Sequence, residues 1–182
     1  FISIIAIIIL SPIFIILSIL IKSGSKGKII FKQERIGFKN EPFQIYKFRS
    51  MYADSEKNGP QLSSKYDNRI TNIGRFMRKT RLDETPQFFN VIKGDMSLVG
   101  PRPERQYFIN KIITKAPHYK HLSKVKPGIT SWGQVKYGYA ENVDEMIDRL
   151  KFDLLYVENM SLSLDVKILF YTVIIMLKGS GK

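Results

Sequence analysis

At 182 residues with 44% apolar side chains, the chain has room for one compact domain plus a membrane-associated segment, around a modest core. Its formal net charge of +13, from 29 Lys+Arg against 16 Asp+Glu, suits an anionic partner: nucleic acid, acidic lipid headgroups or phosphorylated substrates. The absence of cysteine excludes a disulfide framework and a thiolate metal site, and fits a reducing compartment.

Residues 1–21 carry no charged side chain, and their only polar interruptions are Ser3, Ser11 and Ser18. A spanning helix needs about 20 apolar residues, so this run qualifies. No basic stretch precedes it and no small-residue cleavage site follows, so it does not read as a signal peptide. Because Phe1 already lies inside the apolar run, the sequence reads as a piece lacking its natural start. Ser11-Pro12 falls at the middle, where proline removes a backbone donor and should kink or break the helix. Two readings follow: a tilted transmembrane helix, or a re-entrant hairpin whose halves of about ten residues, roughly 15 Å each, return to the same face. Under both, Lys22, Lys26, Lys28 and Lys32 place the remainder on the cytoplasmic side.

Residues 23–27 (Ser-Gly-Ser-Lys-Gly) form a short flexible connector. Strands are expected over 28–31 and 43–48 with a turn over 37–42, a small hairpin. Residues 54–67 are polar and read as a loop, and a basic helix is expected over 73–80. Thr85 suits an N-cap, Pro86 the first helical position and Gly94 the stop, giving a short helix that packs Phe88, Phe89 and Ile92. Gly100-Pro101-Arg102-Pro103 is a rigid turn before a helix over 104–114. His118 and His121 share a helical spacing, but with no third ligand nearby they read as surface histidines. Lys126-Pro127-Gly128 is another turn, leading to a short apolar segment around Trp132 and Val135. Asp144 is expected to cap a helix with Met146, Leu150 and Val157 on one stripe. Asp153 falls on that stripe, and Arg149, four residues earlier, is its natural i,i+4 partner. The apolar segment 162–177 contains Asp165 and Lys167, which suits a helix packed on the core or lying in the membrane interface.

The pair Asp83-Glu84 carries the candidate chemistry. An ionised aspartate among basic neighbours (Lys79, Arg81) could attack phosphorus, and a second carboxylate could hold Mg²⁺ against a diphosphate. Ordinary helix capping by acidic residues is the alternative. Two prolines fix the backbone around Arg102, whose planar fork suits phosphate oxygens, or which merely faces solvent from a stiff loop.

Taken in order, these segments resemble the bacterial sugar transferases, the monotopic phosphoglycosyl transferases. The pieces are the Ser11-Pro12 start, Phe31-Lys32-Gln33-Glu34-Arg35-Ile36-Gly37, Ile45-Tyr46-Lys47-Phe48-Arg49-Ser50-Met51, Leu82-Asp83-Glu84-Thr85-Pro86-Gln87, Phe89-Asn90-Val91-Ile92-Lys93-Gly94-Asp95-Met96-Ser97, Val99-Gly100-Pro101-Arg102-Pro103, Lys126-Pro127-Gly128-Ile129-Thr130 and Leu164-Asp165-Val166-Lys167-Ile168. The resemblance implies a mixed α/β, mainly helical catalytic domain over 23–182 with a short β-hairpin and interfacial amphipathic helices. It makes residues 1–22 a re-entrant membrane helix on the cytoplasmic face of the bacterial inner membrane. It implies an enzyme that transfers a sugar-1-phosphate from a UDP-sugar to polyprenyl (undecaprenyl) phosphate, the first membrane step of exopolysaccharide, capsule or O-antigen glycan assembly. Asp83 matches the family's nucleophile, which would expel UMP and hold the phospho-sugar until the lipid phosphate attacks. Glu84 matches the partner acid, with both acids as Mg²⁺ ligands. Lys47, Arg102 and Asp153 match polar positions at the active site, and Arg49 and Arg149 join them as candidate substrate-binding residues. One departure stands out. Many members continue after the tryptophan with Ala-Gln-Val-Asn-Gly-Arg-Asn, whereas here the chain reads Trp132-Gly133-Gln134-Val135-Lys136-Tyr137-Gly138-Tyr139.

The basic balance alone would also suit nucleic acid, but no helix-turn-helix, zinc or RNA-recognition signature is present, so no nucleic-acid partner is expected. A non-catalytic membrane scaffold for glycan assembly is the remaining alternative, and it has no need of the two acids and the proline-flanked arginine together. The sugar and the oligomeric state, a homodimer included, are not legible.

Overall fold

The computed structural model describes residues 1–57, 59–64 and 67–179. It opens with helix α1, Ile2–Gly24, which runs unbroken through Pro12. Proline has no N–H to offer the carbonyl of Ile8, and the Ser11 hydroxyl donates to that oxygen instead, at 2.8 Å. At 1.5 Å per residue the helix is about 34 Å long. Among the described residues it is the one helix long and apolar enough, by length and composition, to cross a membrane. Its two ends differ. Ile2, Ile5, Ile8 and Ile9 are exposed, whereas Leu17 and Ile21 are buried with Phe48 and Met77, and Phe14 meets Phe48 edge-on at 5.3 Å.

Strands β1 (Ile30–Ile36) and β2 (Pro42–Phe48) form the expected antiparallel hairpin, with Gln33 opposite Ile45. The first strand starts and ends later than the apolar run over 28–31 suggested. Its charged stretch alternates with the pleat: Lys32 and Glu34 are exposed while Gln33 and Arg35 turn inward. The described part of the 54–67 loop holds turns over 54–57 and irregular backbone beyond; positions 58, 65 and 66 lie outside the described residues. Helix α2 spans Asn72–Lys79, and Thr71 Oγ1 accepts from Gly74 N at 3.0 Å as its cap.

Thr85 is not a cap. A 3₁₀ turn covers Leu82–Gln87 and continues into α3, Phe88–Lys93, so Thr85 is buried inside the turn and its hydroxyl donates to Leu82 O at 2.7 Å. Gly94 does end α3, with φ 89. Phe89 and Ile92 are exposed rather than packed. The inward residue of α3 is Asn90, fully buried, which donates to Gln44 O at 2.7 Å and accepts from Tyr46 N at 3.0 Å.

Beyond it, β3 (Ser97–Val99) pairs in parallel with β4 (Gly128–Thr130). Between them lie α4, Gln106–Lys115, and a 3₁₀ segment, Pro117–Lys124, on which His118 is exposed. A short α5, Trp132–Lys136, leads to α6, Val143–Glu158. The cap of α6 is Asn142, not Asp144: Asn142 Oδ1 accepts from Glu145 N at 2.8 Å, and Glu145 Oε2 accepts from Glu141 N. Met146 and Leu150 join Phe108, Ile112 and Leu122 in a core against α4. Helix α7, Leu162–Leu177, inserts Ile168 against Val99 and Tyr156 and leaves Val166, Phe170 and Val173 exposed. The molecule is thus mixed α/β, mainly helical, with a short hairpin.

Candidate active site

Three backbone devices bring the site together. Arg81 adopts a left-handed conformation (φ 57) directly before the 3₁₀ turn, strained for a residue with a side chain. That reversal folds its guanidinium back onto Glu84, three residues on. The β3–β4 pair pins the next segment: Gly100 N donates to Thr130 O at 3.1 Å and Gly128 N to Pro101 O at 3.0 Å, so Arg102 leaves a fixed backbone. Strand β2 delivers Lys47 from the other side.

Glu84 is the hub. Its Oε1 accepts from Lys47 Nζ at 2.7 Å and Arg102 Nη1 at 3.1 Å, and its Oε2 from Arg81 Nη2 at 2.8 Å and Nε at 3.2 Å. Those four bonds use the four acceptor positions of a carboxylate. Burial alone would raise the Glu84 carboxyl, but Lys47, Arg81 and Arg102 hold it well below the usual glutamate range. Lys47 is lowered by its own burial, against the pull of Glu84. Arg102 is lowered by burial and raised by Glu84 and its other neighbours, and ends above the ordinary arginine value.

Asp83 is the opposite case. It is equally buried, yet Oδ1 has no hydrogen-bond partner. Burial first and the Glu84 charge second raise its carboxyl, while Lys47, Arg78 and Arg81 act against that shift. Two adjacent carboxylates are thereby driven apart, one locked as an anion by cations and one orphaned.

Lys47, Arg49, Asp83, Arg102 and Arg149 line one cleft. Glu84 stands behind it, holding Lys47 and Arg102. Arg49 lies on the cleft wall with its guanidinium turned to the end of α1. Asp153 does not pair with Arg149 as the i,i+4 spacing suggested, and neither is on the surface. Asp153 accepts from Gly133 N at 2.8 Å, and Arg149 donates to Glu104 Oε1 at 2.7 Å. The reason is lateral: Gly133 brings its bare backbone against α6, and Glu104, beside the Pro103 turn, outcompetes a neighbour on the same helix. Burial raises Asp153, opposed by Arg149 and the Gly133 N–H.

Residues not singled out as site candidates complete the cleft. Glu104 Oε2 also accepts from Arg35 Nη1 at 3.0 Å, and Arg105 donates to Glu56 Oε1 at 2.7 Å. The Tyr139 ring lies 5.6 Å from the Arg102 guanidinium carbon. Arg35 sits in the quoted 31–37 stretch, and Glu104 and Arg105 directly follow Pro103, so their closeness to Arg102 was the available signal. The wall is rich in cations and suits an anionic ligand.

A magnesium ion fits this pair at one acid rather than two. Glu84 has no acceptor position left, whereas Asp83 Oδ1 is buried with no hydrogen-bond donor. Among the described residues no group of three or more His, Cys, Asp or Glu side chains could hold a metal. Substrate phosphate and water would have to complete the shell.

The domain is mainly helical and combines an exposed apolar helix with a buried acid pair beside a cation-lined cleft. The chain belongs to the bacterial sugar transferase family, whose defining pattern matches residues 1–179. It is 45% identical over 179 residues to a UDP-N-acetylgalactosamine-undecaprenyl-phosphate N-acetylgalactosaminephosphotransferase of Aeromonas hydrophila, covering 98% of this chain and 42% of that protein. It is 40% identical over 168 residues to a UDP-glucose:undecaprenyl-phosphate glucose-1-phosphate transferase of Klebsiella pneumoniae, covering 91% and 36%. A Caulobacter vibrioides protein of that second name is 36% identical over 167 residues, covering 90% and 62%. The chain therefore spans less than two thirds of the length of each of these relatives.

Proposed function

We propose that the chain transfers a sugar-1-phosphate from a UDP-sugar to undecaprenyl phosphate, with Asp83 as the covalent nucleophile. An Asp83 oxygen attacks the sugar-bearing phosphorus, the bond from that phosphorus to the bridging oxygen breaks, and UMP leaves with that oxygen. An oxygen of the lipid phosphate then attacks the same phosphorus, the Asp83 oxygen–phosphorus bond breaks, and polyprenyl-diphospho-sugar departs. Splitting the transfer in two lets a water-soluble donor leave before a membrane-borne acceptor enters.

The observation that carries this reading is the orphaned Asp83 Oδ1 beside a saturated Glu84 in a cation-lined cleft. A carboxylate with an oxygen free of donors is a better nucleophile than one held by four donors. Lys47 and Arg102, fixed by Glu84, offer positive charge to the phosphate oxygens. A magnesium ion bound at Asp83 and the donor would neutralise diphosphate charge.

The exposed apolar side chains along α1 support its insertion at the cytoplasmic face of the inner membrane, where as a re-entrant helix it would bend at Ser11-Pro12. Ser11 already satisfies the carbonyl that Pro12 leaves open, so a bend there strands no polar group in lipid. The exposed side chains of α7 support an interfacial position for that helix.

The test is UMP release by the detergent-solubilised chain given Mg²⁺, undecaprenyl phosphate and a panel of UDP-sugars, with mass spectrometry of the protein. One UDP-sugar should yield UMP and a phospho-sugar adduct, and Asp83→Asn should lose both. Full turnover in Asp83→Asn would remove the nucleophile assignment.

A further inference from the structure

We propose that Arg49 is a positioning residue, a clamp that fixes the pose of α1 relative to the cleft and so sets where a lipid-borne phosphate meets Asp83. The inference rests on the membrane reading of α1 given above.

Arg49 is 6% exposed, and the four hydrogen bonds of its Nη1 and Nη2 all go to one short stretch of chain, while the buried Nε has no partner. Nη2 donates to Ile21 O at 3.1 Å, Ser25 O at 2.8 Å and Ser25 Oγ at 3.0 Å, and Nη1 donates to Lys26 O at 3.1 Å. Ile21 lies in the last turn of α1, where carbonyls have no partner within the helix. A guanidinium there also faces the negative end of the helix dipole. The backbone repeats the link, since Arg49 N donates to Ile29 O at 2.9 Å. Residues 23–27, which by composition are a loose connector, are thus wrapped around one buried cation.

Gly27 is the second observation. Its φ is +127, and a Cβ built there would stand 2.3 Å from Arg49 Nη1. The connector closes around the guanidinium only because this position has no side chain. The third is continuity. Arg49 follows β2, the strand that presents Lys47 to Glu84, and both lie on the cleft wall with Asp83. Helix end, clamp and site are therefore linked through Arg49 and, two residues earlier on β2, the Lys47–Glu84 contact. An acceptor phosphate approaching from the bilayer needs Asp83 at a fixed height above it, and a misplacement of about 1 Å can cost about a hundredfold in rate.

Because the chain has no cysteine, a lone cysteine is a clean probe. Ile8→Cys, labelled with bimane and reconstituted in phosphatidylglycerol-containing vesicles, is read against lipids brominated at successive depths. The expected result is quenching at one narrow depth, which Arg49→Ala and Gly27→Ala both shift or broaden and Arg49→Lys disturbs less. Gly27 is exposed, so its variant loosens the clamp without opening the core. In turnover, both variants should raise the KM for undecaprenyl phosphate by about tenfold and leave that for the UDP-sugar within about twofold. An unchanged depth profile in both variants, or KM values that rise together, overturns the clamp. No quenching in the parent at any depth would instead overturn the membrane reading itself.

Discussion

Lys47 Nζ stands 2.7 Å from Glu84 Oε1, and this contact ties the hairpin to the 3₁₀ turn that carries Asp83. Removing the Glu84 charge leaves Lys47, Arg81 and Arg102 buried around a neutral group. Glu84→Gln should cost about 3–5 kcal/mol, the usual range for a broken buried pair. The sign with pH follows from the depressed Glu84 carboxyl. Its stabilisation is fully present above the ordinary glutamate range and is lost as pH falls through the depressed value. Thermal melts of parent and variant across acid pH test this, and equal melting points at neutral pH would refute it.

Asp83 should behave in the reverse sense. A carboxyl whose folded value lies above the ordinary one opposes folding once it is ionised. Asp83→Asn is therefore expected to melt higher than the parent at neutral pH while losing transfer. A lower melting point would mean that Asp83 is held by interactions other than those described.

The same shift governs rate. Only the ionised Asp83 can attack phosphorus, so UMP release should rise with pH through a value above the ordinary aspartate range. Arg78 lines the cleft and its charge counteracts the shift, so Arg78→Gln should move that acid limb upward. A pH profile with its limb at or below the ordinary aspartate value contradicts the assignment.

Asn90 holds α3 against β2 through Gln44 O and Tyr46 N. Asn90→Leu keeps comparable bulk but strands both backbone groups. The variant should lose about 2–6 kcal/mol, at roughly 1–3 kcal/mol for each of the two backbone groups left unpaired. Denaturant titration measures it, and a loss below about 1 kcal/mol would show that the groups find other partners.

What the sequence disclosed was mostly local. The hairpin, the basic helix α2 and the stop at Gly94 follow from period and turn chemistry, and the Met146 and Leu150 stripe of α6 follows from 3.6-residue spacing. The true cap of α6 was also local. Asn142 and Glu145 form the box, but Asp144 drew attention because acidic residues suit a helix start. Other features depended on distant partners. Arg149 pairs with Glu104 rather than with Asp153, and nothing within α6 reveals that. In α3 the sequence expects Phe89 and Ile92 to pack, yet both turn outward and Asn90 between them is the anchor. For the site, Asp83, Glu84 and Arg102 were nameable from their order. That one acid would be saturated and the other orphaned depends on side-chain positions fixed only in the fold.

Gly133 shows how an absent atom can set a dimension. A Cβ there would stand 2.8 Å from Arg149 Cγ and 2.9 Å from both Asp153 carboxylate oxygens. A methyl there would oblige the Arg149 and Asp153 side chains to shift, and the Asp153 carboxylate now seated on the Gly133 N–H would be the first to move.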